Sequence, residues 1–287
     1  MGWQTHVKGR IMALFSIITT CRNAQDCIER TIRSVLMQDF RDFEYIIMDG
    51  ESDDATLAVA KRFVADFEKA GIPYRIYSEK DHGIYEGMNH ALSHAEGDYV
   101  NFMNADDCLL DAQTLTKVAA VVSSAASGAN PAVFYGGAIA VEFGESYYYA
   151  KDLSLIERRM PFSHQSVFAA RSLLNAHPFQ EQYRIGADYD FLLTAYKEGC
   201  GFCDLGIEVC RVTLDGLSSL DLIGTFIETT QIQKDHGIVL YSDKAYAKKI
   251  RSLTVKQFVM DHFPKCILYL IRKIQRIQRG QNAHPAK

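Results

Sequence analysis

The sequence predicts an α/β fold, a mostly parallel sheet flanked by helices, followed by a C-terminal amphipathic helical tail. Three observations carry that expectation. Short β-branched runs alternate with segments whose apolar residues recur at helical spacing. The runs are separated by helix-length stretches, as βαβ units with right-handed crossovers require. Charge then divides the chain. From Asp243 onward eleven Lys/Arg face two Asp/Glu, although the 287 residues together hold 31 basic and 35 acidic side chains.

The elements follow in order. ALFSIITT (13–20) is a strand buried on both faces. In NAQDCIERTIRSVLMQDF, Ile28, Ile32, Val35 and Leu36 recur at helical spacing, and FEYIIMD (43–49) is a second strand. DDATLAVAKRFVADFEKAG is one helix, with Asp53 as N-cap, an apolar stripe of Leu57, Ala60, Val64 and Phe67, and Gly71 as terminator. YRIYSE (74–79) is a third strand. A helix bearing Ile84, Met88, Ala91 and Ala95 precedes the fourth strand, DYVNFMN (98–104). Beyond a helix starting near Asp111, VFYGGAIAVEFGESYYYAKD is a hairpin turning at FGES. DYDFLLTAYKEG is a helix, and GCGFCDLG adds a strand-like run.

Composition narrows the classes. Hydrophobic content of 48% and charged content of 23% are those of a globular chain. The longest apolar runs, such as CILYLI (266–271), fall far short of the roughly 20 residues a bilayer span needs. MGWQTHVKGR has no apolar signal-peptide core. Seven cysteines without an export signal point to reduced thiols in a cytoplasmic protein. Cys200 and Cys203 form a CxxC with no second pair at zinc spacing, so buried thiols are expected there. A net charge of −4 and an acidic body disfavour nucleic acid as a partner.

In a parallel sheet, ligands bind outside the carboxyl ends of the strands. Those ends read Thr19–Thr20, Asp49, the Lys80–Asp81 loop and Asn104-Ala105-Asp106-Asp107. Adjacent acids at a buried strand end are costly without counter-charge, and a hard divalent cation with phosphate oxygens would stabilise them. The plainer reading is a turn before the next helix. In Asp49-Gly50-Glu51-Ser52-Asp53-Asp54, Gly50 permits a tight turn and Asp49 points into the crevice.

FSIITTCRNA, FEYIIMDGESDDAT, SEKDHGIYEGMNHAL, EGDYVNFMNADD, FSHQSVF and IGADYDFLL occur in the order seen in family 2 glycosyltransferases. The chain most resembles enzymes of bacterial exopolysaccharide, colanic-acid-like and O-antigen assembly. The resemblance covers roughly 13–206. It implies a GT-A fold over 11–242, with a nucleotide-sugar-binding half (11–110) and an acceptor half (111–242). It also implies inverting transfer from a nucleotide-sugar, with UDP the usual nucleotide, assisted by Mn²⁺ or Mg²⁺. Carried over by position, Thr20 and Asp49 line the nucleoside pocket with Asp81 near the base, and Asp106 and Asp107 hold the ribose and the metal. Asp188 matches the catalytic base, with N-capping as its alternative and Asp190 as a near competitor. His164 lies where similar enzymes place a polar residue near the diphosphate or metal; an ordinary core histidine is the other reading. Two departures stand out. The familiar Asp-Asp-Gly-Ser turn reads Asp49-Gly50-Glu51-Ser52, and the first acid of the usual metal motif is Asn104.

The implied acceptor is a saccharide or a lipid-linked saccharide. A sugar transferase acting on polyprenyl phosphate and a catalytically silent, nucleotide-sugar-binding scaffold subunit are the competing functions. After Pro264, Ile267, Leu270, Ile271, Ile274 and Ile277 recur at helical spacing beside Lys265, Arg272, Arg276 and Arg279. The expected tail, 243–287, is thus a basic amphipathic helix suited to an anionic membrane surface at the inner face of the plasma membrane. Docking on the catalytic domain or at a homodimer seam are its alternatives.

Overall fold

The computed structural model describes residues 13–125, 131–142, 145–148, 151–213, 216–262 and 284–285. Four parallel strands form the half that opens the chain: β1 (Phe15–Cys21), β2 (Phe43–Asp49), β3 (Tyr74–Ser78) and β4 (Tyr99–Phe102). They lie in the order β3-β2-β1-β4. Every residue of β1 and β2 is buried, as expected of strands covered on both faces. The crossovers are α1 (Ile28–Leu36), the pair α2 (Thr56–Lys61) and α3 (Val64–Ala70), and α4 (Ile84–Ser93).

The single helix expected after β2 is broken at Arg62–Phe63. The Tyr74 hydroxyl donates to the Ala60 carbonyl at 3.1 Å, and the Phe63 N–H reaches that same carbonyl at 3.2 Å. A side chain inserted into the i→i−4 ladder interrupts a helix at that point. The buried stripe is Val59, Ala60, Phe63 and Phe67, while Val64 is exposed. Capping also differs from expectation. The Thr56 N–H bonds Asp54 Oδ1 at 2.8 Å, whereas the Asp53 N–H is taken by Asn23 Oδ1.

Beyond β4 the sheet becomes mixed. A short β5 (Cys108–Leu109) precedes α5 (Thr114–Ala125). Then come β6 (Val133–Glu142), β7 (Glu145–Tyr148), β8 (Val167–Ala170), α6 (Arg171–Ala176), α7 (Ala187–Lys197) and β9 (Phe202–Val212). β6 and β7 are antiparallel with Glu142 opposite Glu145, so the expected hairpin is present; Phe143, Gly144 and Tyr149 lie outside the described residues. β8 joins β4 to β6 by antiparallel pairing, and β9 runs parallel to β6 and antiparallel to β5. α8 (Leu217–Leu220), α9 (Leu222–Asp235) and α10 (Asp243–His262) follow, and a two-residue β10 (His284–Pro285) pairs with β7. The amphipathic stretch expected over 264–283 lies outside the described residues. Among those described, no helix is long and apolar enough to cross a membrane.

Apolar layers cover both faces of the sheet. Phe15, Ile17, Ile32, Phe67, Phe134 and Phe168 belong to one; Ile18, Ile46, Met88, Phe191, Leu193 and Ile232 belong to the other. Each layer draws on both halves of the chain. Beneath β1 a buried carboxylate fastens three strands. Glu44 Oε1 accepts from Ser16 Oγ and from the Glu96 N–H, both at 2.6 Å, while Oε2 pairs with Arg75. The β1–β4 approach is tightest at Gly97, where a Cβ would stand 2.5 Å from the Ser16 nitrogen. Gly97→Ala therefore forces backbone apart and lowers stability by roughly 1–3 kcal/mol. Urea unfolding checks it, and an unshifted midpoint contradicts it.

Candidate active site

Asn104 to Asp107 follow β4, and the Thr31 hydroxyl of α1 holds the loop from below. It stands 2.7 Å from the Ala105 carbonyl and 2.6 Å from that of Asp107, donating to one at a time. Arg30 donates to the carbonyl of Asp106. The two acids then part. Asp107 is only 2% exposed. Its Oδ2 accepts from the Gln165 amide at 2.6 Å and its Oδ1 from the Thr213 N–H at 2.8 Å. Burial, followed by the charge of Asp106, pushes its carboxyl up to about 6. Asp106 is half-buried. Its Oδ2 accepts from the Thr213 hydroxyl at 2.5 Å, and its Oδ1 has no hydrogen-bond partner among the described residues.

Gln165 carries the loop's influence to the next acid, because its neighbour His164 joins two parts of the site. His164 Nε2 is 3.5 Å from Asn104 Oδ1, and Nδ1 is 3.0 Å from Asp188 Oδ2. Asp188 occupies the first turn of α7, where the helix N-terminus favours a negative charge. Its Oδ1 accepts from the Tyr189 N–H at 2.8 Å and faces the Tyr85 hydroxyl at 3.0 Å. Burial works against the Asp188 charge, but the His164 bond and charge and the Tyr85 hydroxyl outweigh it and hold the carboxyl below its usual range. Burial likewise pushes the imidazole down, and Asp188 overrides it and keeps His164 above its ordinary value. Asp190, the competitor, is committed to His236 at 2.9 Å. Asp106, Asp107, His164 and Asp188 thus form one connected cluster.

Thr20, Asp49 and Asp81 gather separately, over the carboxyl ends of β1 and β2. Asp49 does not open into the crevice as expected. It is fully buried, with Ser52 Oγ 2.5 Å from Oδ1 and Ser78 Oγ donating to Oδ2 at 2.8 Å. Glu51 is solvent-exposed with a left-handed φ of 53°, so it does not fill the place of the missing acid. Asp81 is half-buried beside Gly50 and Gly87. Thr20 Oγ1 is buried without a hydrogen-bond partner.

The sequence profile of glycosyl transferase family 2 matches residues 16–188, more than half of the chain and the span from β1 to Asp188. The chain belongs to that family. A PGL/p-HBAD biosynthesis glycosyltransferase of Mycobacterium bovis is 30% identical over 185 residues, which is 64% of this chain and 70% of that protein. The structure of S. aureus TarS 1–349 in complex with UDP superposes with a TM-score of 0.58 at 22% identity, covering 76% of this chain; the chain spans 64% of that structure. The mannosyltransferase PcManGT from Pyrobaculum calidifontis, solved with GDP-Man and Mn²⁺, gives a TM-score of 0.61 at 16% identity, covering 86% of this chain and 70% of that one. The expected GT-A fold is the fold observed.

Among the described residues, no three His, Cys, Asp or Glu side chains gather closely enough to cage a metal. The CxxC is no exception. Cys200 and Cys203 are free, half-buried thiols rather than fully buried ones. Four site residues escaped the sequence reading. Tyr85 and Gln165 stood inside quoted motifs, GIYEGMN and SHQ, where their position was the available signal. Thr31 and Thr213 belong to none and come to the loop only through tertiary folding.

The His164–Asp188 pair fixes a pH dependence. Asp188, with a lowered pKa, contributes stability above its unfolded value near 4 that is lost as pH falls through the folded value. His164, with a raised pKa, contributes stability below about 6.5 that is lost as pH rises through its folded value. His164→Gln is therefore most destabilising at about pH 5.5, and its deficit shrinks by about pH 8.5. Urea unfolding of both proteins at the two pH values measures this; a deficit that stays constant would show the pair to be uncharged.

Proposed function

We propose that this family 2 glycosyltransferase is a metal-dependent, inverting enzyme that moves a sugar from a nucleotide-sugar, most simply a UDP-sugar, to a saccharide or lipid-linked acceptor in cell-surface polysaccharide assembly. The observation that carries the reading is the placement of the Asp188 carboxylate in one cluster with the Asn104–Asp107 loop. The relatives solved with UDP and with GDP-Man and Mn²⁺ support a nucleotide-sugar donor and a divalent cation.

The residues present fit a cation that takes most of its shell from a diphosphate and water. Asp106 has a carboxylate oxygen to offer, and Asp107 behind it is raised to about 6 by burial and like charge. Asp106 would hold the cation, with Asp107 fixing its loop; His164 lies nearest to Asn104 and Asp188. When bound, the cation supplies positive charge to the departing nucleoside diphosphate. Thr20 and Asp81 lie at the nucleoside end, with Asp49 shaping its floor through Ser52 and Ser78.

Asp188 performs the proton chemistry. An acceptor hydroxyl is a weak nucleophile until a carboxylate takes its proton. A lowered pKa keeps Asp188 ionised at neutral pH, ready to receive that proton as the oxygen attacks the anomeric carbon. One base on the face opposite the leaving group suffices for inversion, without a covalent intermediate.

The test is a panel of nucleotide-sugars, read by thermal shift and donor hydrolysis with Mn²⁺ and with EDTA. One donor should stabilise the protein only with metal, and Asp106→Ala should abolish that stabilisation. Asp188→Asn should keep it while lowering kcat by about 10²- to 10⁴-fold. Absence of nucleotide binding throughout would favour the silent scaffold.

A membrane-embedded acceptor would suit the C-terminal helices. Val255 and Phe258 of α10 are exposed on a helix that also carries Lys244, Lys248, Lys249, Arg251 and Lys256. Peripheral attachment to an anionic membrane surface is accordingly part of the proposal. Deleting 264–287 should shift the protein from the membrane to the soluble fraction; unchanged partitioning would overturn attachment through this tail.

A further inference from the structure

Tyr85 is a buried phenol in the first turn of α4. Its hydroxyl reaches the start of α7, where two acceptors compete for its single proton. They are the Ile185 carbonyl at 2.6 Å and Asp188 Oδ1 at 3.0 Å. Ile185 is itself held, because Glu228 Oε2 takes its N–H at 2.7 Å and that of Gly186 at 3.0 Å. One turn further along α4, Asn89 clasps Phe179, donating to its carbonyl at 2.9 Å and accepting from its N–H at 3.0 Å. The phenol and both of its acceptors thus stand on braced backbone.

The two oxygens of Asp188 have different surroundings. Each oxygen of an ionised carboxylate offers two lone-pair directions. Both on Oδ1 are taken when Tyr85 donates, since the Tyr189 N–H occupies the other at 2.8 Å. Among the described residues Oδ2 faces only His164 Nδ1, at 3.0 Å. A proton arriving from outside therefore finds its open place on Oδ2. The phenol also answers to the charge of the carboxyl. An ionised acceptor draws its proton more strongly than a neutral carbonyl does. Once Asp188 is neutral that advantage is gone, and the proton can turn to Ile185. With two acceptors, the buried hydroxyl keeps a partner in both states.

Building on Asp188 as the base, we infer that Tyr85 is a positioning residue for the transfer: it anchors Oδ1, leaves Oδ2 to receive the acceptor's proton, and turns its hydroxyl to the Ile185 carbonyl when the carboxyl becomes neutral. In that step the acceptor O–H bond breaks, its electron pair going to the attacking oxygen as that oxygen bonds the anomeric carbon, and the proton rests on Oδ2. The bond from that carbon to the diphosphate oxygen breaks, and its electron pair leaves with the diphosphate. Tyr85 stays a neutral phenol throughout, because burial, followed by the charge of Asp188, holds its pKa well above the usual value.

The experiment is donor hydrolysis by the full chain with Mn²⁺, water standing in for the acceptor, using the nucleotide-sugar that wild type hydrolyses fastest. The variants are Tyr85→Phe, Asp188→Asn, the two combined, and Asn89→Ala, each shown by urea unfolding to fold cooperatively. Tyr85→Phe should leave KM and the calorimetric affinity for the nucleoside diphosphate within about twofold of wild type and lower kcat about 10- to 100-fold, the scale of one hydrogen bond to a charged group. In the Asp188→Asn background the same change should cost less than about twofold, because the phenol acts through that carboxylate. Asn89→Ala loosens α4 without touching Asp188, so it should lower the urea midpoint and leave kcat near that of wild type. An unchanged kcat in Tyr85→Phe, a loss repeated in full beside Asp188→Asn, or an equal loss in Asn89→Ala overturns this inference alone. Wild type without donor hydrolysis, or Asp188→Asn as active as wild type, overturns the reading of Asp188 as base and this inference with it.

Discussion

The site hangs on the buried carboxylate of Asp107. It ties three segments far apart in sequence: its own loop after β4, Gln165 just ahead of β8, and Thr213 at the end of β9. Gln165 is adjacent to His164, so the bond that satisfies Asp107 also delivers the imidazole to Asp188. Thr213 binds both acids, its N–H to Asp107 and its hydroxyl to Asp106, and so sets their relative placement. Burying a carboxylate is unfavourable unless every oxygen is satisfied. That requirement makes the three segments cooperate: an error in any one would leave a charge stranded in the core.

The acids and hydroxyls of the strand ends fall into two kinds. Glu44, Asp49 and Asp107 are almost fully buried and have partners on both carboxylate oxygens. They hold strands and turns together. Asp106 and Asp81 are only half-buried over the carboxyl ends of parallel strands, and Asp106 keeps an oxygen without a hydrogen bond among the described residues, whereas the Thr20 hydroxyl is buried without a partner. Asp188 belongs to neither kind. It is well bonded to His164 and faces the Tyr85 hydroxyl, yet 15% of its side-chain surface stays exposed, so the carboxylate is held in place without being sealed off.

The strand–helix order was legible because burial of β1 and β2 on both faces left unbroken apolar runs, which alternate with segments whose apolar residues recur at helical spacing. What failed was local geometry set by distant contacts. Nothing in residues 53–71 announces that Tyr74 takes the Ala60 carbonyl and splits the helix, or that Asp54 rather than Asp53 accepts the Thr56 N–H at its start. The acids of the candidate site were legible as strand ends, and Asp188 through its resemblance to a known motif. Their differing states of satisfaction were not, because these depend on Ser52, Ser78, Gln165 and Thr213, whose side chains reach the acids only in the folded chain.

Electrostatics then favours a particular order of arrival for the proposed donor. Asp106, Asp107 and Asp188 belong to one bonded network, joined through Thr213, Gln165 and His164. Arg30 donates to the Asp106 carbonyl and His164 pairs with Asp188. A bare diphosphate approaching Asp106 would add like charge to a region that already raises the pKa of Asp107. Bound as its complex with a divalent cation, the same diphosphate arrives with much of its charge neutralised and brings a ligand-hungry centre to the open oxygen of Asp106. On this argument the proposed metal dependence would arise less from a preformed cage, which the described residues do not form, than from a carboxylate surface that would accept a nucleotide only with its cation.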